Sequence, residues 1–134
     1  MRWTREARMR LDGSLLYRQY WDREEEPSPQ NVLIEQMVGL PRRAVLYSWW
    51  KRRWMFDPMT LHETLMEDSK DGGDRLTFID RETAESVARS FGQELPSEAE
   101  LLQVMEQGAA EMYATDNRMK YVQLYDDDPG ANWD

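Results

Sequence analysis

Three tryptophans fall within six residues in the segment Tyr47-Ser48-Trp49-Trp50-Lys51-Arg52-Arg53-Trp54. Any fold this chain adopts must house those rings. Pro41 sets the backbone angle of a first helical turn, so a helix from Pro41 to about Trp54 is expected. On such a helix Tyr47, Trp50 and Trp54 share one stripe. Val45, Trp49 and Arg52 share another, about 100° away. One narrow core contact cannot bury both stripes. Either this helix is central to the fold, or one tryptophan faces a partner.

Around that segment the chain divides at proline, glycine and capping residues. Trp3, Arg5, Ala7, Met9 and Leu11 alternate with Arg2, Thr4, Glu6, Arg8 and Arg10, the period of a half-buried strand. Asp12-Gly13 suits a two-residue hairpin turn, with Ser14 to Trp21 as the return strand. A rival reading makes Ser14 a helix N-cap ahead of Leu15, Leu16, Gln19 and Tyr20. A charged connector, Asp22 to Pro29, follows. Ser28 caps an expected helix with Val32, Leu33, Gln36 and Met37, ended by Gly39. Asp57-Pro58 starts another, carrying Leu61, Leu65 and Met66 to about Asp68. Asp71-Gly72-Gly73-Asp74 is a loop, and Leu76 to Ile79 a short strand. Asp80 caps a helix with Ala84, Val87, Ala88 and Phe91, stopped by Gly92. Ser97 and Glu100 have capping-box spacing ahead of Leu101, Leu102, Met105, Ala109 and Met112. Met119 to Tyr125 alternates again, and Asp126 to Asp134 reads as a frayed acidic tail.

These elements predict an α+β fold in one compact domain, residues 1–134. A small antiparallel sheet would form from the N-terminal hairpin and the strand near Tyr121, with four or five helices packed on one side.

Charge is divided unevenly. Residues 1–54 hold 11 Lys and Arg against 7 Asp and Glu, a net of +4. Residues 55–134 hold 6 against 19, a net of −13, and the whole chain carries −9. Such asymmetry bears on partners rather than on fold. The absence of cysteine removes disulfides, thiol catalysis and cysteine zinc sites. No apolar run approaches the length of a membrane span, and no signal-like segment follows Met1, so a cytoplasmic protein is expected.

Four sites are candidates. Asn31 to Val38, Gly39 and Pro41 to Arg53 resemble the helix-turn-helix of small DNA-binding regulators, with Ile34, Val38, Leu40 and Val45 packing the helices together. That resemblance implies Arg42, Arg43 and Lys51 as DNA contacts. Glu35 and Ser48 depart from it, and the net charge of −9 opposes phosphate binding. The aromatic run is the second: Trp49, Trp50, Arg52, Arg53 and Trp54 are residue types enriched at protein-binding hot spots. Aromatics interleaved with cations can also stack single-stranded bases. The third is the acidic half, where Glu82, Glu85, Glu94, Glu98, Glu100, Glu106, Glu111 and Asp126 to Asp128 could meet a basic target. The fourth is catalysis. His62 is the lone histidine, Asp68, Asp71 and Asp74 lack calcium-loop spacing, and no nucleophile elbow or phosphate loop is present.

The leading expectation is therefore a non-enzymatic binding module, without cofactor or metal, that modulates or inhibits a larger protein with a basic surface. Polymerases, nucleases and toxins present such surfaces. Small inhibitors from phage or mobile elements, and immunity proteins, share this size and charge. The alternatives are a helix-turn-helix transcriptional regulator and a small hydrolase or metal-dependent enzyme.

Overall fold

The computed structural model describes residues 12–21, 31–39, 42–70, 72–73 and 75–114. Five strands form one antiparallel sheet: β1 Leu15–Tyr20, β2 Asn31–Gln36, β3 Arg43–Ser48, β4 Arg53–Phe56 and β5 Leu76–Ile79, in the order β4-β3-β2-β1-β5. Three helices accompany them: α1 Pro58–Lys70, α2 Arg81–Ser90 and α3 Glu98–Ala114.

This corrects the expected architecture. The sheet is larger, and the described residues hold three helices rather than four or five, set on both faces of the sheet rather than one. Ser14 to Trp21 does contain a strand, β1, and not the rival helix. The alternating segment at 2–11, the expected strand near Tyr121 and the acidic tail lie outside the described residues.

The three central strands show one burial pattern, four consecutive buried residues between half-buried ends. On one face Tyr17, Val32, Ile34 and Val45 pack with Ala84, Val87 and Ala88 of α2 and Leu101 and Met105 of α3. On the other face Leu33, Ala44 and Leu46 pack with Leu61 and Leu65 of α1 and with Leu76 of β5. A strand covered on both faces shows no polar alternation, because neither side meets water.

Helix α1 makes the long crossing. It leaves edge strand β4 through Asp57 alone and returns the chain to the opposite edge, β5. Its 13 residues rise about 20 Å, and four strand spacings span about 19 Å, so the helix matches the sheet width. The Asp57 carboxylate opens it, accepting from Thr60 N–H at 3.0 Å and from the Thr60 hydroxyl at 2.6 Å. At its end the buried Asp68 accepts from the backbone N–H of Arg75 at 2.6 Å. That bond clasps the helix to the start of β5.

A buried ionic triad lies on the α1 face of the sheet. Glu35 accepts from Arg18 at 2.8 Å through Oε1 and from Arg42 through Oε2. All three side chains are buried. The guanidinium of Arg18 also lies 5.3 Å from the ring centre of Phe78.

Candidate functional site: the β3–β4 hairpin

The tryptophan-rich segment is a hairpin, not a helix. Strand β3 ends at Ser48, β4 begins at Arg53, and the two residues face each other in register. Between them Trp49, Trp50, Lys51 and Arg52 form the loop. Arg52 closes it in the left-handed region, φ 55°, the only non-glycine residue there among those described. Its N–H donates to Ser48 O at 2.7 Å, and Lys51 N–H donates to the Ser48 hydroxyl at 3.1 Å. Four-residue loops around such turns are a standard strand connection. Side-chain oxygen and one strained residue here replace the usual Asn-Gly signal.

The three tryptophans take three positions. Trp54 is half-buried and donates from Nε1 to the carbonyl of Glu94 at 3.1 Å. Trp49 meets Tyr47 edge-on at 5.1 Å and Phe91 at 5.2 Å. Tyr47 and Phe91 also contact each other and Trp54. Phe91 is the residue that ends α2, so this ring cluster ties the hairpin to the helical layer. Trp50 stands outside the cluster and is 90% exposed, against 55% for Trp49. Lys51, Arg52 and Arg53 are exposed beside it. Among the described residues no ion pair engages these three cations. The sequence places all five candidate residues in one segment. The structure makes Trp54 a brace and leaves Trp49, Trp50, Arg52 and Arg53 presented to solvent.

The helix-turn-helix expectation loses its geometry. Residues 31–36 and 43–48 are strands, because both segments are covered on two faces. Arg42 is buried on Glu35, and Arg43 lies on β3 with Nη1 3.3 Å from Gln36 Oε1. Only Lys51 of the three expected DNA contacts is exposed, and it sits at the hairpin tip.

The acidic half is partly assembled. Glu82, Glu94, Glu98, Glu100, Glu106 and Glu111 are exposed on α2, α3 and the connection between them. Glu85 is half-buried, 3.9 Å from Arg81. Helix α3 contains four glutamates and no Lys or Arg. Asp126 to Asp128 lie outside the described residues.

His62, the lone histidine, lies on α1 and is buried. Asp71 and Asp74 lie outside the described residues, and Asp68 serves the clasp to β5. Among the described residues no three His, Asp or Glu side chains gather as a metal site. No described helix is long and apolar enough to cross a membrane. Sequence reasoning missed two features of this region. One is the bracing role of Phe91, which read only as a core position of its helix. The other is the buried Glu35–Arg42 pair, which joins a residue of β2 to the residue just before β3, seven positions on.

No protein-family model, curated protein or solved structure matches this chain.

Proposed function

We propose that the chain is a non-enzymatic protein-binding module that docks on a larger protein and modulates or blocks it. One observation carries the reading: Trp50 is 90% exposed at the tip of a braced hairpin, beside Lys51, Arg52 and Arg53. An indole held in water forgoes roughly 1.5–3 kcal/mol of burial free energy, which a partner's pocket would recover. Tryptophan and arginine are the types that dominate binding hot spots. A tip already fixed by ring packing loses little further entropy on docking.

The exposed glutamates of α2 and α3 give the module a negative side. Opposite charge on a partner raises the encounter rate and rejects wrong partners. Nucleic-acid-handling proteins, such as polymerases and nucleases, and toxins carry basic surfaces of that kind. On this reading the module acts in the cytoplasm.

The test is affinity capture with immobilised wild-type protein and with the Trp50→Ala variant. A larger protein held by the first and lost by the second, and inhibited or altered in activity by added wild type, is expected. A partner set that ignores Trp50→Ala, or captured proteins whose activity never changes, would overturn the reading.

A further inference from the structure

The tip carries an indole and three cations that no ion pair engages among the described residues, and α3 carries exposed carboxylates around an exposed leucine. Glu98, Leu102 and Glu106 are spaced by four residues, so they form one ridge along the outer surface of α3. All three are exposed, and Leu102 is 37% exposed despite being a large apolar residue. The ridge is thus an apolar spot with a carboxylate above it and another below, about 12 Å apart along the axis. Its immediate neighbours Ala99, Gln103 and Ala110 are exposed and uncharged. No cation on α3 neutralises these glutamates. Trp50 with the exposed cations Lys51, Arg52 and Arg53 beside it on the hairpin is opposite in charge to Leu102 with Glu98 and Glu106.

We infer, resting on the reading of the tip as a docking element, that the tip of one copy seats on the α3 ridge of a second copy of this chain. Trp50 covers Leu102, and the tip cations meet Glu98 and Glu106. The contact is small and its ion pairs stay at a solvated rim, where each adds little. Self-association is therefore weak, concentration-dependent and sensitive to salt. The overall charge of −9 opposes it. At about 0.1 M salt that repulsion is screened beyond about 10 Å, while charges in contact still attract.

Sedimentation equilibrium of the full chain at that salt tests this, from micromolar to near-millimolar protein. Wild type should rise above the monomer mass. A tip swap, Lys51→Glu with Arg53→Glu, should weaken association about tenfold, and so should a ridge swap, Glu98→Lys with Glu106→Lys. Mixing the two variants should restore it, since each tip then meets an opposite ridge. Circular dichroism confirms that both remain folded. A wild type that stays monomeric throughout would overturn the inference. So would association that survives both swaps, or a mixture that fails to recover. The two proposals separate cleanly. If wild type is monomeric but Trp50→Ala still loses a captured protein, docking stands and self-association falls. If the swaps behave as stated and no other protein is ever captured, the reverse holds.

Discussion

The indole Nε1 of Trp54 donates to the backbone carbonyl of Glu94 at 3.1 Å, and this bond ties the β3–β4 hairpin to the α2–α3 connection. It separates the tryptophans by role. Trp54→Phe keeps most of the ring and loses the bond, and is expected to cost about 1 kcal/mol. Trp50→Ala removes an exposed ring and should change stability by less than about 0.5 kcal/mol. Urea unfolding of the two variants checks the contrast.

Glu35 holds two buried arginines at once. Glu35→Ala strips both guanidinium groups of that carboxylate while leaving them inside. The expected loss is about 3–5 kcal/mol, the range for breaking a buried ion pair from one side. Replacing Arg18, Glu35 and Arg42 together with apolar residues of similar volume should cost far less. Equilibrium denaturation of the single and triple variants tests that ordering.

Gly108 of α3 lies against the ring of Phe56 in β4, so closely that a methyl group at 108 would overlap the ring. Alanine at a helix interior usually gains about 1 kcal/mol over glycine. Here Gly108→Ala should instead destabilise, by about 1–3 kcal/mol, because an aromatic ring on a strand cannot move aside cheaply. Thermal unfolding would show the sign directly.

Burial raises the ionisation of the Tyr17 hydroxyl above its ordinary value of 10.0, and the hydrogen bond from Arg81 only partly offsets this. Above pH 10 the unfolded chain therefore gives up this proton before the folded chain does. Stability contributed by Tyr17 is complete below that pH and falls as pH rises toward the raised value. Tyr17→Phe should flatten the alkaline loss of stability relative to wild type, measured by urea midpoints across that range.

The helices were legible where local chemistry writes them. Asp57-Pro58, Asp80 and Ser97 each cap the helix their sequence announces, the last through the predicted pairing of Ser97 and Glu100. The central strands were not. Val32-Leu33-Ile34 and Ala44-Val45-Leu46 are buried on both sides, so their apolar runs also fit a helix stripe. Gly39 and Pro41 then read as helix punctuation. The hairpin between Ser48 and Arg53 lacks the glycine that would have announced it, since Arg52 takes the positive φ. The conflict between two tryptophan stripes was visible in the sequence. Its resolution needed the strand period, which sends Trp54 inward to Phe91 and leaves Trp50 at the tip.

The docking role of that tip is tested most directly by photo-crosslinking in living cells. A photoreactive residue is placed at position 50, at position 54 as a braced control, and at position 106 on the acidic ridge. Adducts to a larger protein are predicted from position 50 and not from position 54. Adducts from position 106 alone, with none from 50, would contradict the account.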